Sequence, residues 1–277
     1  MKRIMTIQDI SCVGKCSLTV ALPIISAAGV EAGVLPTAVL STHTQFKKFT
    51  FCDLTSEIQP ISDAFLELGI DFDAVYTGYL GSFEQLALVS DFFDRFGDRA
   101  KIVIDPVMAD NGVLYRGFTV EFARAMAKLC AKADLIIPNL TEASFMLDVP
   151  YNPDYDEDYI RELLVKLSHL GAKEVALTGI SFESDKIGVY SYNSETKRFA
   201  YYCNKKLPVS FHGTGDIYAS ATVGALMRGF STEKALEIAV DFTLECMEKT
   251  LADPDHRFYG VNFEEALPYY IELLDKK

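Results

Sequence analysis

Short runs of consecutive apolar residues alternate along this chain with longer stretches in which apolar positions recur every three or four residues. The runs Ile4–Gln8, Ala74–Thr77, Ile102–Asp105, Leu135–Ile137 and Val175–Thr178 are rich in Val, Ile and Leu and predict buried strands. The stretches Leu18–Ala28, Ile61–Leu68, Phe83–Phe96, Val120–Ala131 and Tyr159–Leu170 predict helices, several closed by a glycine: Gly29, Gly69, Gly97 or Gly171. Pro23, inside the first of them, implies a kink or a late start. Alternation of this kind predicts an α/β fold, a mostly parallel central sheet flanked by helices on both faces. Lys186–Tyr192 and Phe199–Asn204, with tyrosines and charges alternating around Asn193-Ser194-Glu195-Thr196, predict a hairpin that adds a small antiparallel edge. Helical stretches follow at Gly215–Arg228, Thr232–Leu251 and Phe263–Leu274. The acidic segment Asp148–Asp158, with Pro150 and Pro153, reads as a solvated connection. With no Gly-, Pro- or Ser-rich linker and no internal repeat, residues 1–277 read as a single domain.

Composition narrows the partners. Against 39 Asp and Glu stand 26 Lys and Arg, a net charge of −13, which disfavours nucleic acid because phosphate neutralisation needs a basic face. A small phosphorylated ligand is still allowed, since local backbone dipoles and metal ions can bind it. There is no apolar run long enough to span a membrane, and Met1–Asp9 turns polar too soon for a signal peptide, so a cytoplasmic protein is expected. Cys12, Cys16, Cys52, Cys130, Cys203 and Cys246 are scattered and read as free thiols.

The strongest local chemical signal is Phe211-His212-Gly213-Thr214-Gly215-Asp216, which opens a helix rich in small residues. Two glycines at a helix start let an anion approach free N–H groups at the positive end of the helix dipole. Asp216 is either a cap for that helix or a base beside the anion site. Further polar residues stand at predicted C-terminal strand ends, the edge where open α/β sheets bind ligands: Asp9, Gly78-Tyr79, Asp105, Asn139 with Glu142, and Thr178-Gly179. Asn139 followed three residues later by Glu142 is also a capping-box start. Lys15, in Ser11-Cys12-Val13-Gly14-Lys15-Cys16, lacks the spacing of a phosphate-loop lysine.

The order Ser41-Thr42-His43-Thr44-Gln45-Phe46, Thr77-Gly78-Tyr79-Leu80-Gly81-Ser82, Asp105-Pro106-Val107-Met108, Pro138-Asn139-Leu140-Thr141-Glu142 and Gly213-Thr214-Gly215-Asp216 resembles the pyridoxal kinases of the ribokinase superfamily, over nearly the whole chain. The resemblance implies a ribokinase-like fold and ATP-dependent phosphorylation of the 5′-hydroxyl of pyridoxal, pyridoxine or pyridoxamine. It implies that Asp216 accepts the hydroxyl proton and that the N–H groups of Gly213, Thr214, Gly215 and Asp216 stabilise the transferring phosphoryl group. By the same resemblance, Asp105 and Glu142 would act around Mg²⁺ through water. Asn139 and Thr178 line the nucleotide phosphates, and Met108–Arg116, with Tyr115, closes over ATP. His43, Thr44 and Tyr79 would hold the pyridine ring by hydrogen bonds and stacking. ATP and Mg²⁺ are the implied cofactors, a monovalent cation is left open, and relatives of this kind are homodimers. Asp9 departs from the pattern, standing where many pyridoxal kinases carry Ser, and would face either the 4′ substituent of the vitamer or its own turn. The closing loop has no Cys, unlike relatives that trap the aldehyde through a thiol. The alternatives are a hydroxymethylpyrimidine or sugar kinase on the same fold, and a non-catalytic vitamer-binding protein, against which Asp216 argues.

Overall fold

The computed structural model describes residues Met1–Lys276. The chain forms two compact units, Met1–Ala74 with Leu207–Lys277 and Val75–Lys206. In chain order the first contains β1 (Arg3–Val13), α1 (Leu18–Ala27), β2 (Glu31–Thr42), β3 (Phe51–Asp53) and α2 (Thr55–Glu67). The second unit takes in all of β4 (Ala74–Thr77) but its first residue and continues with α3 (Phe83–Phe96), β5 (Lys101–Ile104), β6 (Ala109–Asp110), β7 (Val113–Leu114), α4 (Val120–Cys130) and β8 (Leu135–Ile136). It ends with α5 (Leu140–Leu147), α6 (Glu157–Ser168), β9 (Glu174–Ile180), β10 (Lys186–Asn193) and β11 (Arg198–Lys205). The chain then returns to the first unit with α7 (Thr214–Met227), α8 (Thr232–Ala252) and α9 (Phe263–Asp275).

The expected fold class is present: a mostly parallel sheet with an antiparallel edge and flanking helices. In the first unit the strand order is β1-β2-β3, with β1 and β2 parallel and β3 antiparallel to β2. In the second it is β11-β10-β9-β8-β5-β4, in which β5, β8 and β9 are parallel and β10 and β11 form the antiparallel edge. The ends of β9, β8, β5 and β4 therefore lie side by side. β6 and β7 pair separately as a short hairpin around Asn111 and Gly112, both at positive φ.

β2 carries no strong strand signal in the sequence because Gly33 and Pro36 interrupt it; its pairing with β1 overrides both. The β1–β2 register runs to Gln8↔Pro36 and resumes at Ile10↔Val39, which leaves Asp9 at a bulge inside the strand rather than after it. α1 begins at Leu18 and simply contains Pro23, so the proline does not delay its start. Glycines close the predicted helices for two different reasons. Gly29, Gly69 and Gly171 take positive φ, whereas Gly97 is helical and a Cβ there would lie 2.5 Å from the Phe93 carbonyl oxygen.

α7 is the buried axis of the first unit. Every residue from Ile217 to Leu226 is buried, and Tyr270 Oη of α9 donates to the Ala221 carbonyl at 2.8 Å. A Cβ on Gly224 would lie 2.4 Å from Tyr270 Oη and 3.0 Å from Ala28 Cβ, so small residues here let α1, α7 and α9 approach closely. Overfilling such a contact costs about 1–3 kcal/mol.

Candidate active site

In the first unit the chemistry gathers where α7 begins. Gly213 sits in the left-handed region with φ 83°, and a Cβ on it would lie 2.0 Å from the Lys15 carbonyl oxygen. Conformation and space both demand glycine. A Cβ on Gly215 would meet nothing, so the approach to the helix start is open. No side chain caps α7: the Thr214 hydroxyl donates back to the Phe211 carbonyl at 3.2 Å, leaving the first-turn N–H groups to an incoming anion.

Asp216 lies in that first turn, deeply enclosed yet with part of its surface open to solvent. Burial pushes its carboxyl up to about 7, the neighbouring Asp9 adds to the rise, and the Ser17 N–H opposes it. Asp9 is 6% exposed and faces the hydroxyls of Ser17 and Ser11, the latter donating at 3.5 Å, so most of its hydrogen bonding is internal. Its carboxyl is raised too, by burial. Ser17, between the two acids, holds φ 49° and ψ −132°, a conformation that costs a non-glycine residue on the order of 1–3 kcal/mol and tends to persist at functional sites. Burial and the two carboxylates push the Cys16 thiol up to about 12, which makes it an inert neighbour. Lys15 donates to Asn262 and Glu264 at 3.2 and 2.9 Å; it clamps the start of α9 and does not serve phosphate.

His43 is 3% exposed, and both ring nitrogens are committed. Nδ1 accepts the Gln45 N–H at 3.2 Å, and Nε2 therefore carries the proton and donates to the Tyr259 carbonyl at 3.1 Å. Of the hydrogen bonds and stacking expected jointly of His43, Thr44 and Tyr79, His43 has its ring to offer, because both its nitrogens are bound to main chain. Thr44 is exposed beside it. Sequence reasoning passed over Ser17 and His212, whose signals are three-dimensional: a strained φ in one case and a ring 4.3 Å from that of a distant histidine in the other.

The second unit holds the remaining predicted residues. Asp105 follows β5 directly, Asn139 lies just beyond β8 and Tyr79 just beyond β4, whereas Thr178, expected at a strand end, lies inside β9, which runs on to Ile180 because it pairs there with β10. Thr178 N–H donates to the Pro138 carbonyl at 2.9 Å, which bridges Thr178 to Asn139. The Asn139 amide is used at both ends: Oδ1 accepts the Glu142 N–H at 3.0 Å and Nδ2 donates to the Ala109 carbonyl at 2.8 Å. Glu142 closes the capping box, accepting the Asn139 N–H on one oxygen and the Met108 N–H on the other, each at 2.9 Å. It is 2% exposed, and burial pushes it up to about 7 against those N–H groups and that of Ala109. Its grip on Met108 fixes a strained turn, since Val107, a β-branched residue, sits at φ 35°.

The β6–β7 hairpin is seated on this framework: Gly112 N–H donates to Thr141 Oγ1 at 2.9 Å, and the Tyr115 N–H to the Met108 carbonyl. Tyr115 is 41% exposed, and Tyr79 packs on Phe118 with ring centroids 5.5 Å apart. Among the described residues no cluster of three or more His, Cys, Asp or Glu could hold a metal by itself. Mg²⁺ needs no such cage, because it keeps several waters and takes one or two carboxylates beside substrate phosphates. Asp105, 8% exposed just after β5, is a carboxylate of the kind such an ion takes through water, and both oxygens of Glu142 accept N–H bonds.

An open helix start with a raised carboxylate in its first turn, in the first unit, and a row of polar residues near strand ends, in the second, are each features that a small-molecule kinase of the α/β class uses. Residues 22–259 match the phosphomethylpyrimidine kinase family, and the chain belongs to it. It is similar to a protein from Bacteroides thetaiotaomicron, assigned as a phosphomethylpyrimidine kinase, whose orthorhombic crystals hold pyridoxal. The two are 40% identical with a TM-score of 0.92, over 97% of this chain and 95% of the other. Pyridoxal kinase from Lactobacillus plantarum is 28% identical with a TM-score of 0.91, over 99% and 98% of the two chains. Pyridoxal kinase PdxY of Pasteurella multocida is 28% identical over 266 residues, 90% of each chain.

Proposed function

We propose that this protein transfers the γ-phosphoryl group of ATP to the 5′-hydroxyl of a B6 vitamer: pyridoxal, pyridoxine or pyridoxamine. The observation that carries the reaction type is Asp216, a carboxylate kept basic by burial, partly open to solvent and one residue beyond the glycine turn that starts α7. A base with this proton affinity can take the hydroxyl proton near neutral pH. In this reading the N–H groups of Gly213, Thr214, Gly215 and Asp216, at a helix start that no side chain caps, would stabilise the charge that develops on the phosphoryl oxygens. The choice of substrate is supported by the B6 relatives and by the pyridoxal held in the Bacteroides protein.

In this reading Asp9, His43, Thr44 and Tyr79 belong to the acceptor side, and Asp105, Tyr115, Asn139, Glu142 and Thr178 to the nucleotide side. Asn139 and Glu142 act by shaping the turn at Val107 and the hairpin that follows. Bound Mg²⁺ would neutralise phosphate charge, with Asp105 holding it through water. A cytoplasmic homodimer completes the proposal; among the described residues no helix is long and apolar enough to cross a membrane.

A second reading follows from the family itself, phosphorylation of a hydroxymethylpyrimidine. A panel assay separates the two: purified protein with MgATP and each of the three vitamers, hydroxymethylpyrimidine, ribose and fructose, with products read by mass spectrometry. Phosphorylation of a vitamer at the highest kcat/KM is expected, and preference for the pyrimidine would replace this reading by the second.

A further inference from the structure

His212 is the residue of the α7 approach that neither the sequence pattern nor the catalytic scheme employs. Its ring lies 4.3 Å, centroid to centroid, from that of His43 and is tilted by 39°. The two imidazoles differ in what they have left to offer. His43 is buried with both nitrogens bound to main chain, and a Cβ on Gly14 would lie 2.6 Å from its Cδ2, so it is locked in place. His212 is half-buried, and among the described residues no group hydrogen-bonds to either of its nitrogens. Its main chain has no freedom to carry it away: the next residue is the left-handed Gly213 pressed against Lys15, and Thr214 ties back to Phe211. A polar ring thus lies against the fixed ring of His43, just before the open helix start and four residues from Asp216 in sequence, with donor and acceptor both unspent. Burial and the adjacent His43 push its pKa down to about 4, so at physiological pH it presents one N–H and one lone pair rather than a positive charge.

We infer that His212 is a substrate-contacting specificity residue, which hydrogen-bonds through its neutral imidazole to a polar substituent on the ring of a flat heteroaromatic alcohol. This rests on the B6-kinase reading and supplies the hydrogen bond that His43 cannot make. A neutral imidazole accepts from a ring hydroxyl and donates to a ring oxygen or nitrogen, so it favours acceptors with a polar edge over sugars, which lack a flat face to lie beside the histidine pair. Leaving the substituent without this partner should weaken binding about five- to tenfold, the scale of one hydrogen bond in a partly buried site.

The test compares His212→Phe, which keeps an aromatic ring on His43 and removes both nitrogens, with His212→Gln, which keeps a donor and an acceptor and removes the ring. Each is measured with wild type for KM and kcat toward pyridoxine, for KM toward MgATP, and for direct binding of pyridoxine by its intrinsic fluorescence. The expected result is that His212→Phe raises pyridoxine KM and Kd about five- to tenfold, leaves the KM for MgATP and the melting temperature unchanged, and that His212→Gln restores part of the loss. Equal pyridoxine affinity in wild type and His212→Phe overturns the inference and makes His212 a packing partner of His43. Loss of melting temperature in both variants, with affinity unchanged after correction for the folded fraction, overturns it as well. The reading beneath it fails separately: wild type would then neither bind nor phosphorylate pyridoxine.

Discussion

Asp216 and Glu142 are both carboxylates in the first turn of a helix, and burial pushes both up to about 7, yet their surroundings give them opposite roles. Glu142 is sealed at 2% exposure and divides its oxygens between the N–H groups of Asn139 and Met108. Asp216 keeps an open side, has the Ser17 N–H against it and heads a helix that no side chain caps. A raised pKa therefore does not identify the base in this protein. The proposed assignment of Asp216 rests instead on its hydrogen-bonding capacity and its partly open surface. The same contrast recurs between the two neighbouring histidines: His43 has both nitrogens bound to main chain, and His212 is the one we propose to contact substrate.

The comparison is broken most severely by exchanging the reactive carboxylate. Asp216→Asn should lower kcat by about a hundredfold or more, the scale of a lost general base, while MgATP still binds. The same variant should melt higher than wild type at pH 8. A carboxyl whose folded pKa is raised contributes stability below its ordinary range and loses it as pH rises through about 7, and the neutral amide escapes that loss. Near wild-type kcat in a steady-state assay would remove Asp216 from the base role.

The next effect is on substrate choice. Asp9 sits at the β1 bulge with Ser11 and Ser17. If it also meets the 4′ substituent, pyridoxamine or pyridoxine is used with higher kcat/KM than pyridoxal, whose aldehyde can only accept. Asp9→Ser then narrows the gap by about 1–3 kcal/mol. Unchanged ratios between vitamers would show that Asp9 serves only its turn.

Glu142→Gln should act mainly on structure. One of the two N–H donors then faces an amide NH₂, and leaving a buried donor unmatched costs on the order of 1–3 kcal/mol. The melting temperature should fall by several degrees, read by differential scanning calorimetry. The Mg²⁺ concentration for half-maximal rate should rise, because the turn that follows Asp105 loses its anchor. An unchanged melting temperature would contradict the anchoring role.

The sequence makes some of this contrast legible and hides the rest. The strands Ala74–Thr77 and the helix Phe83–Phe96 appear at their expected limits because a local period carries them. β2 was hidden, since Pro36 and Gly33 are overridden by pairing with a strand more than twenty residues away. The Gly213–Asp216 turn was legible because glycine at a helix start has a local physical meaning. The capping box of Asn139 and Glu142 was legible too, from its spacing. The long-range commitments of Asn139, Glu142 and His43 were not, because their partners Ala109, Met108 and Tyr259 lie 30, 34 and 216 residues away. Only folding reveals which polar residue has already been used.

The account turns on which of the two raised carboxylates governs the reaction, and the pH dependence of kcat/KM for a B6 vitamer tests this directly in wild type and Glu142→Gln measured side by side. A base must be ionised in the free enzyme, so Asp216 predicts an acid limb with a midpoint near 7, activity rising as pH increases, and the same midpoint in both proteins. An acid limb that disappears in Glu142→Gln would assign the essential ionisation to Glu142 and contradict the account.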